Sequence, residues 1–151
     1  MRSRRSAPRV NVITGGLGAD AIILSGNTSS DTIVISNADS GITVAAADHI
    51  TGFAVGLDFL KMGTIGVGTT DGGNYVEASG VVADFADALA AANTALAALS
   101  LTSAAAELYS FQWDNTNGYL FDDIDGNGTV DQVIVLVGIV GVTLSVTNII
   151  A

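Results

Sequence analysis

The chain contains 151 residues, of which 49% are hydrophobic and 13% charged, with eighteen glycines, one proline and no cysteine. This composition is too apolar for a disordered chain, and without cysteine there is neither a disulfide framework nor thiolate chemistry. Four of the five basic residues precede Val10, whereas all fifteen acidic residues follow Ala19, so the body of the chain offers no basic face to nucleic acid.

Residues 1–10 are basic and contain no apolar stretch of seven residues after the arginines, which argues against a secretory signal peptide. They are predicted to form a flexible arm. The remaining residues, 11–151, are long enough for one domain with its own core. We expect this domain to comprise a repeat ladder at 11–62, a loop and helix at 63–108, and C-terminal strands at 109–151.

The ladder begins with a glycine turn, an aspartate and a short apolar strand, which read G-G-L-G-A-D-A-I-I-L at residues 15–24. The core of this unit is Asp20-x-Ile22-x-Leu24. One strand and one turn in about nine residues is typical of a parallel β-helix or β-roll. The unit recurs in degenerate form as Asp31-x-Ile33-x-Ile35 and as Ser40-x-Ile42-x-Val44.

Glycines and aspartates at the ends of these strands are candidate cation ligands. Glycine accepts left-handed backbone conformations, and a carboxylate completes an oxygen-lined turn that suits calcium. The segment from Asp48 to Leu60 adds a strand, a turn and a strand with aspartates at its ends, and an ordinary hairpin is the alternative interpretation. The candidate ligands of the ladder are Gly16, Gly18, Asp20, Asp31, Asp39, Asp48 and Asp58.

A helix is predicted after the ladder. Apolar residues recur at helical spacing from Val82 to Leu99 in an alanine-rich background, with Asp84 and Asp87 near the favourable N-terminal end. This pattern predicts an amphipathic helix of about four turns over roughly residues 82–99, whose apolar side packs in the core.

The C-terminal part of the chain is predicted to form a β-sandwich-like region. Tyr109, Phe111 and Trp113 alternate on one face of a strand, and Asn117-Gly118 predicts a hairpin turn to a partner strand. The last twenty residues carry no charge, so a transmembrane segment is one interpretation. Polar and β-branched residues, and the absence of flanking Lys or Arg, favour two buried strands instead. These strands are expected at Val133–Val137 and Val142–Val146.

The most acidic turn of the chain is D-D-I-D-G-N-G-T-V-D at residues 122–131. Position 12 of an EF-hand loop, a bidentate Glu, corresponds to Ile134, and the flanks are strand-like, so this is not an EF-hand. The crowded carboxylates predict a calcium site, and a plain turn rich in Asp and Asn is the alternative. The residues that match EF-hand positions 1, 3, 5, 6 and 9 are Asp123, Asp125, Asn127, Gly128 and Asp131.

Together these motifs resemble the RTX (repeats-in-toxin) family. Residues 15–23 fit its nonapeptide G-G-x-G-x-D-x-U-x at every position. The Asp48–Leu60 segment is similar to the one that follows the last RTX repeats, except that Gly52 stands where an aspartate is expected. Residues 119–138 resemble the closing segment of serralysin-type proteases and bacterial S-layer proteins. The resemblance implies calcium binding, a type I secretion signal at 144–151, and an extracellular or cell-surface location.

The residue inventory argues against an enzyme. His49 is the only histidine, so the two-histidine zinc motif H-E-x-x-H is excluded within this chain. No G-x-S-x-G nucleophile motif and no G-K-[ST] ending of a phosphate-binding loop is present. We therefore expect a protein without catalytic residues.

The sequence favours a mainly β, calcium-stabilised extracellular structural module that folds where calcium is abundant and assembles into a homo-oligomer or lattice. Two alternatives stay open. In one, the chain is the C-terminal secretion and folding module of a larger secreted enzyme. In the other, it is a metal-independent, self-assembling subunit of a virion or appendage, and the aspartate loops are simple turns. The expected partners are calcium ions and further copies of the chain, without nucleic acid or membrane.

Overall fold

A computed structural model describes residues 9–24, 28–63, 73–141 and 144–150. Residues 1–8 of the predicted arm and residues 64–72 of the loop that follows the ladder lie outside these ranges. The described residues form ten strands in two sheets and one α-helix, so the mainly β prediction is confirmed. In chain order the elements are β1 (Val12–Thr14), β2 (Ala21–Ile23), β3 (Thr32–Ile35), β4 (Asp48–Thr51), β5 (Phe59–Met62), β6 (Tyr75–Glu77), α1 (Phe85–Ser100), β7 (Leu108–Trp113), β8 (Asn117–Asp123), β9 (Gln132–Val137) and β10 (Ile149–Ile150).

The N-terminal strands wind as a parallel coil. Sheet 1 has the strand order β1-β3-β5-β10, and sheet 2 has the order β2-β4-β9-β8-β7-β6. From β1 to β5 the chain alternates between the two sheets, and each strand pairs in parallel with the strand one coil away. This arrangement confirms the predicted β-roll ladder. It excludes a hairpin at Asp48–Leu60, because β4 and β5 lie in different sheets.

The C-terminal strands complete the same two sheets rather than forming a sandwich of their own. Strand β9 pairs in parallel with β4, and β10 pairs in parallel with β5. Strand β8 is antiparallel to both of its neighbours, β7 and β9. The ladder and the C-terminal region therefore form one continuous unit in the described residues.

Aliphatic and aromatic side chains from both sheets form the main core. Ile33 and Leu60 of sheet 1 pack in one cluster with Ile50 and Leu136 of sheet 2, and all four are fully buried. Burial of each such side chain stabilises the fold by about 1.5–3 kcal/mol. The three aromatic residues that were predicted to share one face of β7 all belong to this cluster: Tyr109, Phe111 and Trp113.

The helix α1 packs on sheet 2. Asp84 accepts a hydrogen bond from the backbone N–H of Asp87 at 3.0 Å, so it caps the helix, which begins at Phe85. The predicted helix is thus confirmed with a start three residues later than Val82. Ala88 belongs to the helix's buried face, where small side chains pack against the aromatic and valine side chains of β8 and β9.

The third predicted repeat, around Ile42, is wrong. Residues 41–47 form a turn, and Ile42 is 48% exposed. The reason lies in Ser40, whose hydroxyl donates to the backbone oxygen of Val133 at 2.5 Å and accepts from the backbone N–H of Asp48 at 2.8 Å. This contact fixes the turn, and the next strand begins at Asp48.

The aspartate missing at position 52 of the RTX-like segment has a steric explanation. Gly52 has φ +82°, a backbone conformation that is strained for any residue with a side chain. A Cβ at this position would lie 2.1 Å from the backbone oxygen of Leu24. One coil passes too close to the next for any side chain at this position. Gly52 is therefore a contact between coils, and an aspartate ligand does not fit there.

The β7–β8 hairpin is confirmed, but its turn is not at Asn117-Gly118. The turn lies at residues 114–116, where Asp114 Oδ1 accepts from the backbone N–H groups two and three residues further on, at 2.6 and 2.8 Å. Gly118 lies inside β8, and a Cβ there would meet the ring of Phe111 at 2.6 Å. Its role is to make room for an aromatic ring.

The uncharged C-terminus contains one of its two predicted strands. Strand β9 confirms Val133–Val137, whereas the described part of Val142–Val146 is not a strand. Ser145 and Asn148 cap a 3-10 turn there, and the strand follows at Ile149–Ile150. The helices found in the described ranges are all too short or too polar to cross a bilayer.

Candidate metal centre

The predicted calcium-binding turn at residues 122–131 connects β8 to β9. Three of its carboxylates converge: Asp123, Asp125 and Asp131 each place one oxygen within 4.8 Å of the other two. Asp123 is buried, whereas Asp125 and Asp131 are exposed. The arrangement brings three carboxylate oxygens together at the surface, and carboxylate oxygen is the ligand type that calcium and magnesium prefer.

Backbone hydrogen bonds hold these carboxylates in place. Asp123 accepts from the backbone N–H of Asn127 at 3.1 Å and of Gly128 at 2.7 Å. Asp131 accepts from the backbone N–H of Ile124 at 2.9 Å, which closes the loop across its base. Asp125 shares the Asn127 N–H at 3.1 Å. These hydrogen bonds within the loop order it without a bound cation.

Asn127, the fourth predicted oxygen ligand, has a role inside the loop. Its Oδ1 accepts from the backbone N–H of Thr129 at 2.9 Å and is also in contact with the Thr129 hydroxyl. Gly128 has φ +89°, which glycine adopts without strain. The side chain at 127 therefore orders the turn, and the convergent group consists of the three aspartates.

The helix α1 supports the loop from behind. Asn93 Oδ1 accepts from the backbone N–H of Val130 at 2.9 Å. A Cβ at Gly128 would lie 2.9 Å from the Cα of Ala97, so helix and loop are in close contact. Asn93 is a site-supporting residue that sequence analysis missed. The available signal was a lone amide in an alanine- and leucine-rich helix.

Burial and like charge disfavour ionisation of Asp123, the buried member of this group. Burial is the main cause that raises the pKa of Asp123, and the charges of Asp125 and Asp131 raise it further. The hydrogen bonds from Gly128 and Asn127 act in the opposite direction. A bound cation would stabilise the ionised form of Asp123.

The ladder aspartates perform a different task. Asp31 Oδ1 accepts from the backbone N–H of Asn11 at 2.9 Å, and Asp58 Oδ1 accepts from that of Asp31 at 2.9 Å. On sheet 2, Asp48 Oδ1 accepts from the backbone N–H of Asp20 at 2.9 Å. Each carboxylate therefore satisfies the backbone donor of the preceding coil at the start of a strand. We call these two rows the aspartate stacks.

The glycine turn of the RTX-like nonapeptide lies against the turn that contains Asp39. Gly16 and Gly18 have φ values of +90° and +114°, and the Gly18 N–H donates to the backbone oxygen of Asp39 at 2.9 Å. The Asp39 carboxylate accepts from the backbone N–H of Ser36 at 2.9 Å. Among the described residues, three acidic ligands meet only at Asp123, Asp125 and Asp131, so the structure does not gather the ladder candidates into a comparable group.

A buried polar group beside the loop was not predicted. Asp122 and Gln132 lie opposite each other on β8 and β9, and the Gln132 amide donates to Asp122 Oδ2 at 2.6 Å. Both side chains are fully buried. Burial is the main cause that raises the pKa of Asp122 to about 8; the Gln132 hydrogen bond lowers it, and the charges of Glu107, Asp131 and Asp123 raise it. The Asp122–Gln132 pair can be recognised only once the pairing of β8 with β9 is known.

The raised pKa of Asp122 predicts that the calcium-free protein loses stability between about pH 4 and pH 8. The folded state keeps this proton until about pH 8, whereas the unfolded state loses it near pH 4, so the folded state binds more protons in this window. We expect the free energy of unfolding to fall by up to about 5 kcal/mol across it. Urea denaturation in EDTA at a series of pH values measures this slope.

Asp122→Asn mimics the protonated carboxyl and is expected to remove most of that slope. Asp48 and Asp123, whose pKa values burial also raises, leave a residual slope of the same sign. Asp87→Asn, on the exposed face of the helix, is the control and should keep the wild-type slope. An unchanged slope in Asp122→Asn contradicts the assignment.

Comparison with protein-family models finds no match for this chain, and comparison with curated proteins finds no significantly similar sequence.

Proposed function

We propose that this chain is a non-enzymatic structural module of the extracellular space, stabilised by calcium bound at Asp123, Asp125 and Asp131. The main support for this proposal is that the oxygens of these three carboxylates lie within 4.8 Å of one another. The loop that contains them is ordered by its own backbone hydrogen bonds. The RTX-like features of the sequence point in the same direction.

Charge balance supports a cation as the occupant of this loop. No Arg or Lys follows Lys61 in the sequence, so neither the loop nor the strands beside it contain a basic residue. Three crowded carboxylates without a positive partner repel one another, and the net charge of −10 adds to this repulsion. A divalent cation offsets both effects.

We propose calcium rather than magnesium as the cation, because three side-chain oxygens on a surface loop do not enforce a strict octahedron. Calcium accepts six to eight oxygen ligands in flexible geometry, whereas magnesium demands a near-ideal octahedron and keeps several waters. Two of the three carboxylates are exposed. Extracellular calcium modules have dissociation constants of about 0.1–1 mM, and we propose a site of this class. Such a site is filled outside the cell, and its binding free energy adds to the stability of the fold.

A metal-independent structural subunit is the second candidate, and the aspartate stacks favour it. The carboxylates of Asp31, Asp48 and Asp58 already accept backbone hydrogen bonds from neighbouring coils. These bonds order the ladder without any ion. In this alternative, the carboxylates of the loop from 123 to 131 also serve only to accept backbone hydrogen bonds, and the loop is a simple turn.

Calorimetric titration of the EDTA-treated, full-length protein with calcium chloride separates the two candidates. We expect one saturable binding event per chain, and weaker binding of magnesium. NMR resonances of the loop, including the backbone amides of Ile124 and Gly128, should shift with the same dissociation constant. If neither heat nor these resonances change in millimolar calcium, the calcium proposal is wrong and the metal-independent subunit replaces it.

A further inference from the structure

Among the described strands, those of the first coil, residues 9–24, form the edge of both sheets. Strand β1 is the last strand of sheet 1, and β2 is the last strand of sheet 2 at the same end of the fold. The backbone oxygens of Asn11 and Asp20 accept from Thr32 and His49 of the next coil. Because bonding directions alternate along a strand, the backbone groups of Val12 and Ile23 point away from the fold.

Within residues 9–24, the part of this edge that the structure describes, the usual protection against pairing is absent. Native edge strands often contain lysine, proline or a bulge, whereas β1 and β2 read V-I-T and A-I-I. Val12 is 72% exposed and Ile23 is 71% exposed. The first coil contains one arginine, Arg9, and one aspartate, Asp20, so it is neutral in a strongly acidic protein. Depletion of charge and exposure of apolar side chains are typical of the centre of a protein interface.

We propose that a second copy of this chain docks on the first coil through a two-fold axis, with β1 antiparallel to β1 and β2 antiparallel to β2 of the partner. The same edge meets itself, so the contact is self-complementary and closed. Both sheets end in one coil, and a single docking event therefore pairs both edges. The neutral coil lets two molecules of net charge −10 approach at this point.

The opposite end of the fold disfavours a head-to-tail contact. In the described residues sheet 1 has four strands and ends at β10, whereas sheet 2 has six strands and ends at β6. Sheet 2 therefore extends two strands further than sheet 1 at this end of the fold. The first coil of a second molecule cannot pair with β10 and β6 at the same time. This leaves the two-fold contact as the one that satisfies both edges. The inference deepens the self-assembly expected of a structural module and does not depend on the calcium site.

Sedimentation analysis of the full-length protein, in EDTA and in calcium, tests this proposal. We expect a dimer of two 15.2 kDa chains in both buffers. The double variant Val12→Lys/Ile23→Lys changes only exposed side chains and should weaken dimerisation at least about tenfold, because edge lysines oppose pairing. The control Val12→Thr/Ile23→Thr keeps the β-branched shape and should remain dimeric.

A second variant tests the backbone bonds. Val12→Pro/Ile23→Pro removes two N–H groups that point away from the fold, so we expect a folded monomer with the wild-type circular dichroism spectrum.

A wild-type monomer at submillimolar concentration overturns the proposal, as does a dimer that persists in the lysine variant. An open-ended polymer overturns it too. A monomer that still binds calcium overturns the dimer alone, and a dimer that binds no calcium overturns only the proposed calcium function.

Discussion

Asp125→Asn is expected to abolish most of the stabilisation that calcium gives the wild-type protein, without destabilising the calcium-free form. Asp125 is exposed, and asparagine keeps an oxygen that can accept from the Asn127 N–H. The change removes one of three crowded charges, so repulsion in EDTA decreases while affinity for the cation falls. At a calcium concentration 100 times the dissociation constant, the wild type gains about 2.7 kcal/mol. For a domain of this size that is a rise in Tm of about 5–10 °C.

Thermal unfolding in EDTA and in saturating calcium measures this difference. Asp87→Asn removes the same charge from the exposed face of the helix and should keep the full calcium response. Asp123→Asn should lose the calcium response and also be less stable in EDTA, because Asp123 holds the Asn127 and Gly128 backbone groups. An identical rise in Tm for Asp125→Asn and the wild type contradicts the assigned site.

Asp58→Ala is expected to destabilise the protein by about 2–6 kcal/mol, equally with and without calcium. Its fully buried carboxylate accepts from the backbone N–H of Asp31 at 2.9 Å and from that of Ala54 at 2.8 Å. Alanine leaves both donors without this acceptor, and each buried, unsatisfied donor costs about 1–3 kcal/mol. Asp58→Asn retains one acceptor oxygen and should lose about half as much.

Urea denaturation in EDTA and in calcium gives both free energies. The comparison also separates the two roles of aspartate in this chain, because a ligand to calcium destabilises mainly in calcium whereas an aspartate of the stacks destabilises in both buffers. A loss below about 1 kcal/mol in EDTA would show that the stack contributes little. A loss confined to calcium would make Asp58 a metal ligand, as the sequence resemblance implies.

The strands of the ladder were predictable where a strand begins with aspartate followed by an alternating aliphatic residue. This pattern locates β2 and β3, and it recurs at Asp48 and Asp58, where β4 and β5 begin. The helix was predictable because its apolar spacing is long and its cap is an aspartate. The C-terminal sheet was predictable in type because the aromatic and valine runs alternate with a period of two.

The misplaced elements share a physical cause, which is that long-range contacts decide among local alternatives. The Ser40 repeat fails because its hydroxyl bonds to Val133, far away in sequence. The hairpin turn moves because the Asp114 side chain competes with the Asn117-Gly118 signal. The buried Asp122 pair depends on strand pairing, which no local pattern encodes.

The residues of the candidate site were predictable from the sequence. Which of the candidate aspartates would converge on one site was not. Eleven positions were candidate calcium ligands, and aspartate at a strand end satisfies the sequence pattern whether it binds a cation or a backbone N–H. Three-dimensional convergence distinguishes the two cases. It brings Asp123, Asp125 and Asp131 together and distributes Asp20, Asp31 and the other ladder positions elsewhere.

The pairing of β4 with β9 and of β5 with β10 has a consequence for the order of events during synthesis. The ladder from β1 to β5 obtains its outer neighbours only from residues 132–150, at the far end of the chain. While a ribosome is still making the chain, those neighbours do not yet exist, and closing such distant contacts is slow even afterwards. The two sheets therefore cannot be completed until residues 132–150 have been synthesised, and until then the ladder exposes the strand edges that β9 and β10 later cover.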